Sequence, residues 1–160
     1  MSVYWALVIT SDRVKREPER DMITPLVKDM LDKSGHSLVY RTIVGNSFAE
    51  ILHGISNAML AGADIILVTG GTGPNPRDIS VDIVSRLANR ELPGIGEEFR
   101  RRSIARKVKN AVMSRASAYI VNGRLVVVSP GNPDAVETMM GVLLDVADHL
   151  VEQLHGKKHH

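Results

Sequence analysis

Apolar and polar positions along the chain fall into blocks that predict an alternation of strands and helices. Residues 3–9 (VYWALVI), Ser37–Val44 and residues 64–69 (DIILVT) are rich in apolar and β-branched residues, and each predicts a strand. The third run is apolar almost throughout, which is typical of a central strand covered on both faces. Between the strands, apolar residues recur every three or four positions and predict two amphipathic helices. Their apolar positions are Ile23, Leu26, Val27, Met30 and Leu31, then Ile51, Ile55, Ala58 and Met59.

The second half of the chain adds two helices, a hairpin and a long final helix. Residues 80–89 and a charged segment from about Glu97 predict the two helices, with ELPGIG as the link between them. The pair Asn122-Gly123 stands between SAYIV and RLVVVS, which predicts a two-residue β-hairpin. The apolar stripe of the final helix consists of Val136, Met140, Leu143, Ala147, Leu150 and Leu154.

This order of elements predicts the fold class. Strand and helix alternate three times, and no repeat or linker interrupts them. We therefore expect an α/β three-layer sandwich, with a mostly parallel sheet and an antiparallel hairpin at one edge. We expect one domain over residues 1–154 and a flexible tail at residues 155–160. The tail histidines, His155, His159 and His160, could bind metal, but an unstructured terminus is the favoured interpretation.

Composition narrows the class of protein. The chain has 160 residues, 44% of them apolar and 24% charged, as in ordinary globular domains. It has no cysteine, which excludes a disulfide framework, a thiolate metal site and a cysteine nucleophile. The net charge of +2 is accounted for by Lys157 and Lys158, so the body of the chain is neutral. With no basic leader and no apolar run of about 20 residues, we expect a soluble cytoplasmic protein without membrane contact.

The clearest chemical signal is the stretch ILVTGGTGPNPRD, which places three glycines directly after the central strand. Ligands of open α/β sheets bind at the carboxyl ends of strands. Glycines there allow positive φ and let backbone N–H groups approach an anion, while the next helix offers its N-terminus. A purely structural turn is an equally open interpretation. The stretch contains neither the Walker pattern nor the dinucleotide fingerprint GxGxxG.

Two neighbouring features bear on this loop. Asp78 is either the cap of the following helix or a carboxylate that holds Mg²⁺ against phosphate oxygens. The second loop, SPGNP at residues 129–133, also follows an apolar strand and precedes a helix. We expect the two loops to converge on one ligand site at the edge of the sheet.

Four motifs, taken in their order and spacing, resemble the molybdopterin-binding family of molybdenum cofactor biosynthesis. They are TGGTGPNPRD, LPGIGEEFRRRS, MSR and SPGNP. VITSDR near the start and DHL near the end fit as well, so the resemblance covers nearly the whole chain. It implies a three-layer α/β fold that assembles into homotrimers or hexamers. It also implies molybdopterin and ATP as substrates, with Mg²⁺, and transfer of AMP from ATP to the terminal phosphate of the pterin.

The resemblance also implies roles for single residues. Asp78, Asn46 and Arg100 would be catalytic, and Asp78 would also associate with the metal. Substrate binding would involve both glycine-containing loops, the loop after the first strand, the charged helix and the loop that follows it. These residues are Ser11, Asp12, Asp21, Gly70, Gly71, Thr72, Gly73, Glu97, Ser103, Ser114, Arg115, Pro130, Gly131, Asn132 and Pro133.

The chain departs from the family pattern at Asn46. The segment TIVGNSFAEI lies where the family usually carries Pro-Asp, and asparagine lacks the charge that Mg²⁺ prefers. Two hypotheses remain: a working adenylyltransferase that tolerates Asn46, or a pterin-binding homologue with weak or no turnover. If the missing charge is the cause of low turnover, Asn46→Asp should restore activity. Smaller departures are the missing glycine after Asp21 and Ser80-Val81 in place of Thr-Pro.

A third interpretation, nucleic-acid binding, rests on the basic cluster of the charged helix. Its residues are Arg100, Arg101, Arg102, Arg106, Lys107 and Lys109. On a helix they spread around the circumference, and Glu97 and Glu98 lie within pairing distance one turn earlier. A solvated or subunit-facing helix is therefore favoured. We expect only Arg100 to face an anionic ligand, and we expect no nucleic-acid partner.

Overall fold

One six-stranded sheet with helices on both faces organises the chain. The structure is a computed structural model that describes residues 2–157. The strands are β1 (Tyr4–Thr10), β2 (Ser37–Val44), β3 (Ile65–Thr69), β4 (Arg90–Leu92), β5 (Ser117–Val121) and β6 (Arg124–Ser129). The helices are α1 (Asp12–Arg16), α2 (Ile23–Lys33), α3 (Phe48–Leu60), α4 (Ser80–Leu87), α5 (Pro93–Ala105) and α6 (Pro133–Leu154). Two 3₁₀ turns, Pro18–Arg20 and Lys109–Met113, lie in the connections.

The strand order across the sheet is β2-β1-β3-β6-β5-β4. The first four strands run parallel, whereas β5 is antiparallel to β6, and β4 is antiparallel to β5. The hairpin between β5 and β6 turns at Asn122 and Gly123, both with positive φ, as a two-residue turn requires. The predicted α/β sandwich with an antiparallel edge is therefore confirmed.

Alternate residues of the central strands pack into two hydrophobic cores, one on each face of the sheet. On one face, Trp5, Leu7 and Ile9 of β1 pack with residues of α2, α5 and α6. On the other face, Ala6 and Val8 pack with residues of α3 and α4. This period of two explains why β1 and β3 are apolar at nearly every position: both of their faces are covered.

The chain between α4 and β5 differs from the sequence prediction. Residues predicted as a link form the short edge strand β4, and α5 begins at Pro93, four residues before the expected start. Proline is favoured at the first helical position because its missing N–H would have no intrahelical partner there. The proline in LPGIG therefore marks the observed start of α5, which the charged segment alone does not.

Helix α5 approaches the sheet closely at Gly96. A Cβ built on Gly96 would lie deep inside van der Waals distance of the Ala116 carbonyl oxygen and 3.1 Å from its carbon. Gly96 therefore sets how near α5 can pack to the strand β5 that follows Ala116.

The far end of the chain is tied to the body. Beyond α6, the N–H groups of His155, Gly156 and Lys157 donate to the last carbonyls of the helix, and His155 contacts Asp64 at 3.1 Å. The remaining residues of the predicted flexible tail, 158–160, lie outside the described residues. Between residues 2 and 157, no helix has both the length and the apolar character needed to cross a bilayer.

The close contact at Gly96 can be tested with two glycine-to-alanine variants in α5. Gly96→Ala should lower the free energy of unfolding by at least about 2 kcal/mol, because the new methyl group meets backbone that cannot rotate away. Gly94→Ala is the control in the same helix, since its Cβ would meet nothing within 4 Å. It should be neutral or stabilising by up to about 1 kcal/mol. Urea unfolding measures both, and equal effects of the two variants would contradict the close approach.

Candidate active site at the glycine loop

Two loops meet at the carboxyl edge of the sheet, as the sequence predicts. They are the glycine loop, residues 70–73 after β3, and the second loop, residues 130–133 after β6. The Gly70 N–H donates to the Ser129 carbonyl at 2.8 Å. A Cβ on Gly131 would lie 3.3 Å from the Gly70 Cα, so the two backbones are in direct contact. Side chains at this point would push the loops apart.

The glycines are required by the protein's own packing. Gly70 and Gly71 have φ of 98° and 81°, a region that side-chain-bearing residues rarely adopt. A Cβ on Gly70 would lie 2.6 Å from the Thr10 carbonyl oxygen, and one on Gly71 would lie 2.9 Å from the Ser80 Cβ. A Cβ on Gly73 would lie 2.6 Å from Asp78 Oδ2. The structural interpretation of these glycines therefore holds whatever the loop binds.

The same conformation leaves backbone donors without protein partners. Within the part of the chain that the structure describes, the N–H groups of Gly71, Thr72 and Gly73 donate no hydrogen bond. The carbonyls of Thr72 and Gly73, by contrast, accept bonds from Arg115. Successive N–H groups in such a turn form a concavity that suits an anion.

Arg115 holds the backbone of the glycine loop and of Asp78 in place through hydrogen bonds, which together form the Arg115 clamp. Its backbone N–H donates to the Thr72 carbonyl at 2.8 Å and its Nε to the Gly73 carbonyl at 3.1 Å. Its Nη2 reaches the Asp78 carbonyl at 2.8 Å, and its Nη1 reaches Asp82 Oδ1 on α4 at 2.9 Å. The hydrogen bond from Arg115 lowers the pKa of Asp82, and the same bond raises the pKa of Arg115. The expected role of Arg115 in contacting substrate is not supported by these bonds, since the guanidinium is already engaged by the protein.

A cavity of about 450 Å³ opens beside the glycine loop. It lies between that loop, the second loop, the C-terminal half of α5, the 3₁₀ turn and the start of α6. Six of the predicted substrate-binding residues line it, namely Thr72, Gly73, Ser103, Ser114, Pro130 and Asn132. A volume in this range accommodates a drug-sized ligand.

Helix α5 contributes a face to the cavity that the sequence prediction used only in part. Phe99, Ser103 and Arg106 are spaced by four and three residues, so they share one face of the helix, and all three line the cavity. Arg106 donates to Thr138 Oγ1 of α6 at 2.5 Å. The helical spacing around Ser103 was the signal in the sequence that could have identified Phe99 and Arg106. Asn110 and Met113 of the 3₁₀ turn also line the cavity, and no periodic pattern marks them.

Asp78 lies against the glycine loop. Its Oδ2 accepts the Asn75 N–H at 3.3 Å, next to the Gly73 Cα. Helix α4 has no side-chain cap, so the alternative interpretation of Asp78 as a helix cap is wrong. A carboxylate has about four acceptor sites, and one long hydrogen bond leaves capacity for a cation.

Asn46 and Asp12 contact Arg77, the residue that precedes Asp78. The Asn46 N–H donates to Asp12 Oδ1 at 2.9 Å, and the Asn46 Nδ2 donates to the Arg77 carbonyl at 2.6 Å. Arg77 pairs with Asp12 Oδ2 at 3.3 Å. The predicted residues Asp12, Asn46 and Asp78 are thus brought together around residues 75–78.

Other predicted substrate-binding residues cap helices. Ser11 Oγ accepts the Val14 N–H at the start of α1, and Asn132 Oδ1 accepts the Ala135 N–H at the start of α6. Pro133 is the first residue of α6. Ser11, Gly131 and Pro133 line a smaller cavity of about 140 Å³ on the opposite side of the second loop.

Asp21 is held at the start of α2. Its Oδ1 accepts the N–H groups of Ile23 at 2.9 Å and Thr24 at 3.0 Å, and its Oδ2 contacts Thr24 Oγ1 and Arg41. Its side chain is only 4% exposed. Burial alone would raise the pKa of Asp21, but the hydrogen bonds from Thr24 and Arg41 outweigh it and lower the pKa. Asp21 also lines the smaller cavity, with its carboxylate engaged by the protein.

Arg100, expected to face an anion, instead bonds to backbone. Its Nη1 donates to the carbonyls of Ser114 at 3.2 Å and Ala116 at 2.7 Å, which anchors the segment between the 3₁₀ turn and β5. Glu97 is exposed on the outer side of α5. The catalytic role expected of Arg100 stays a prediction.

The basic cluster of α5 is largely paired within the chain. Glu98 accepts hydrogen bonds from Arg101 and from Arg102, and the bonds from these guanidinium groups lower the pKa of Glu98 to about 2. Arg102 also reaches Asp145 on α6 at 2.7 Å. Lys107, with φ of 68°, ends the helix in the left-handed conformation. The expectation that Glu98 pairs with the arginines that follow it is confirmed.

No cluster of three or more histidine, cysteine or acidic side chains arranged to hold a metal exists within residues 2–157. A tight all-protein metal cage is therefore absent there. Mg²⁺ is usually held by one or two carboxylates together with phosphate oxygens of the substrate and waters. The single carboxylate of Asp78 beside the glycine loop fits that mode of binding.

An open backbone loop beside a cavity, at the carboxyl edge of a parallel sheet, is typical of α/β proteins that bind anionic small molecules. Sequence comparison defines the family. Residues 6–149 match the probable molybdopterin binding domain, and the chain belongs to this family. The family predicted from the four motifs is thereby confirmed.

Known relatives agree with this assignment. A molybdopterin adenylyltransferase of Pyrococcus furiosus is 32% identical over 152 residues, which cover 92% of this chain and 89% of that protein. A molybdenum cofactor biosynthesis bifunctional protein of Synechococcus elongatus is 30% identical over 157 residues. The match covers 98% of this chain but 49% of that relative, so the chain spans about half its length.

The fold agrees with a solved structure. The tungsten cofactor synthesizing protein MoaB from Pyrococcus furiosus superposes with a TM-score of 0.88 at 29% identity, covering 96% of this chain and 97% of that one. The arrangement of the sheet and helices is therefore that of this family of cofactor biosynthesis proteins.

The Arg115 clamp predicts a stability effect. Arg115→Lys keeps the charge but cannot reach three acceptors in the geometry of a guanidinium fork. It should lower the free energy of unfolding by about 1–3 kcal/mol, because two part-buried backbone carbonyls and the Asp82 carboxylate lose hydrogen bonds. Arg90→Lys, at an exposed position on β4, is the control and should change stability by less than about 0.5 kcal/mol. Equal stabilities of the two variants, measured by urea unfolding, would contradict the clamp.

Asp21 predicts a pH-dependent effect. At pH 7, Asp21→Asn should lower the free energy of unfolding by about 1–2 kcal/mol, because the amide nitrogen that replaces Oδ2 cannot accept from Arg41 and the negative charge is lost, while Oδ1 still accepts the two backbone N–H groups. Since folding lowers the pKa of Asp21, its contribution is complete above the ordinary value of 3.8 and is lost as pH falls through the lower folded value. The difference between wild type and variant should therefore narrow toward pH 3. Asp29→Asn on the exposed side of α2 is the control, and a difference that persists unchanged at pH 3 would overturn this account.

Proposed function

We propose that the protein transfers AMP from ATP to the terminal phosphate of molybdopterin, as a step in molybdenum cofactor biosynthesis. The observation that carries the proposal is the row of unpartnered N–H groups at Gly71, Thr72 and Gly73, the last two of which line the 450 Å³ cavity. A phosphate seated there would accept hydrogen bonds from fixed donors. Membership of the family and similarity to the molybdopterin adenylyltransferase of Pyrococcus furiosus support this choice.

Transfer of AMP to the pterin phosphate requires no nucleophile from the protein. An oxygen of the pterin phosphate attacks the α-phosphorus of ATP, the bond from that phosphorus to the bridging oxygen breaks, and pyrophosphate leaves. The phosphate already carries about two negative charges at neutral pH, so it needs no general base. The protein's task is to hold two polyanions together and offset their charge.

The described residues divide this task. The glycine loop would hold phosphate through its backbone donors. Ser103, Ser114 and Arg106 offer polar groups to the pterin in the cavity, and Phe99 and Met113 offer apolar contacts. Asp78 would carry Mg²⁺, which when bound neutralises charge on the phosphate oxygens of ATP. Arg115 and Arg100 hold the backbone that forms the site.

Two further expectations belong to the same proposal. A cytoplasmic location suits the absence of cysteine from the chain, and a homotrimer or hexamer is what the resemblance implies. Several apolar side chains at the surface, including Leu60 and Val112, are available for subunit contact. The proposed partners are small molecules, the pterin and the nucleotide.

A second candidate function is pterin binding without turnover. Asn46 supports it, because an amide stands where the family usually has a carboxylate. Purified protein incubated with ATP, Mg²⁺ and molybdopterin decides between the two. Formation of adenylylated molybdopterin and pyrophosphate supports the transferase, whereas tight pterin binding without product supports the binding protein.

The role given to Asp78 predicts a kinetic change. Asp78→Asn should lower kcat for adenylyl transfer by at least about 100-fold, because the carboxylate that would hold Mg²⁺ is lost. Affinity for molybdopterin should be unchanged, since Asp78 does not line the cavity. Asp29→Asn, at the exposed surface of α2, is the control for charge. A kcat for Asp78→Asn within threefold of wild type would remove Asp78 from the proposed mechanism.

A further inference from the structure

Asn46 links the start of α1 to the segment before α4. Its backbone N–H donates to Asp12 Oδ1 at 2.9 Å, and its side-chain Nδ2 donates to the Arg77 carbonyl at 2.6 Å. The first bond fixes Asn46 against the start of α1. The second extends from there to residues 75–78, the Asp78 segment.

The second bond depends on the amide. A backbone carbonyl can only accept, so the group that faces Arg77 O must be a donor. An ionised carboxylate at position 46 would place one acceptor against another and would leave the Arg77 carbonyl without this partner. Asparagine and aspartate have nearly the same shape, so this bond distinguishes them by chemistry alone.

The neighbouring carbonyl of the Asp78 segment is held from another direction. Arg115 Nη2 donates to the Asp78 carbonyl at 2.8 Å, so two consecutive carbonyls are fixed by two side chains. Within the segment, the Arg77 N–H bonds to Asn75 Oδ1 at 2.9 Å and the Asp78 N–H bonds to the Asn75 carbonyl at 2.8 Å. These bonds set the direction of the Asp78 carboxylate, which lies beside Gly73.

The ion pair between Arg77 and Asp12 does not replace the amide bond. The Arg77 side chain is 78% exposed, and the pair is 3.3 Å long. Exposed pairs of this kind contribute little to stability. The bond from Asn46 to the Arg77 carbonyl links the Asp78 segment to the residues after β2 independently of this pair.

We propose that Asn46 is a positioning residue whose side-chain amide holds the Asp78 segment in place before substrate binds. This inference rests on the proposed function for its kinetic consequence only. It reverses the expectation that follows from charge: Asn46→Asp does not restore a missing catalytic group but releases the segment that carries Asp78. In this chain, the amide at position 46 positions the segment, and the carboxylate at position 78 would hold the metal.

Hydrogen exchange of the Arg77 and Asp78 amides, measured by NMR on the full chain without substrate, tests the inference. Asn46→Asp and the uncharged Asn46→Leu both lack the donor. Both should accelerate exchange of these two amides by about fivefold or more, the effect of losing one hydrogen bond. Asn89→Asp, at an exposed position between α4 and β4, adds the same charge elsewhere and should leave both rates at the wild-type value.

Kinetics supply the second measurement. Both variants at position 46 should lower kcat about tenfold or more while the KM for molybdopterin stays at its wild-type value, because Asn46 does not line the cavity. A rise in KM with unchanged kcat would mean that Asn46 acts on the pterin, and would overturn the inference.

Three further results would also overturn it. They are wild-type exchange rates in both position-46 variants, unprotected Arg77 and Asp78 amides in the wild type, or a kcat that rises in Asn46→Asp. If the wild type itself shows no adenylyl transfer, the proposed function fails, but accelerated exchange in the two variants still supports the positioning role. The two failures are therefore separable.

Discussion

The site depends on a direct contact between two stretches of backbone. Gly70 and Gly131 bring the loops after β3 and β6 together, and the Gly70 N–H bonds to Ser129 across the junction. Any Cβ at Gly70 would collide with Thr10, so the chain has no alternative residue there. Thr72 and Gly73, which follow this junction, line the cavity. Packing of the two loops and binding of a ligand therefore both require glycine at this junction.

Much of the fold could be predicted because its signals are local. Strand and helix periods identify β1, β2 and β3, and Asn122-Gly123 identifies the hairpin. The short edge strand β4 could not be predicted, since three residues carry no period and depend on pairing with β5. The early start of α5 was predictable from Pro93, because proline favours the first helical position.

The residues of the candidate site likewise fall into those that local motifs identify and those that only the tertiary fold defines. Its glycines, Asp78 and Ser103 are identifiable from motifs, and the two loops meet as expected. The roles of Arg100 and Arg115 were not accessible to sequence, because both bind backbone carbonyls whose positions only the tertiary fold defines. An arginine in a motif indicates an anion partner as readily as a carbonyl partner. The same limit applies to Asn46, whose departure from the family pattern is a local fact but whose bond to Arg77 spans 31 positions.

The central claim is that backbone N–H groups of the glycine loop bind phosphate beside Asp78. A crystal structure of the protein soaked with ATP and Mg²⁺ tests it most directly. The account predicts phosphate oxygens within hydrogen-bond distance of the Gly71, Thr72 and Gly73 N–H groups, and a metal ion between phosphate and the Asp78 carboxylate. Nucleotide bound elsewhere, with these three N–H groups facing water and no metal at Asp78, would contradict it.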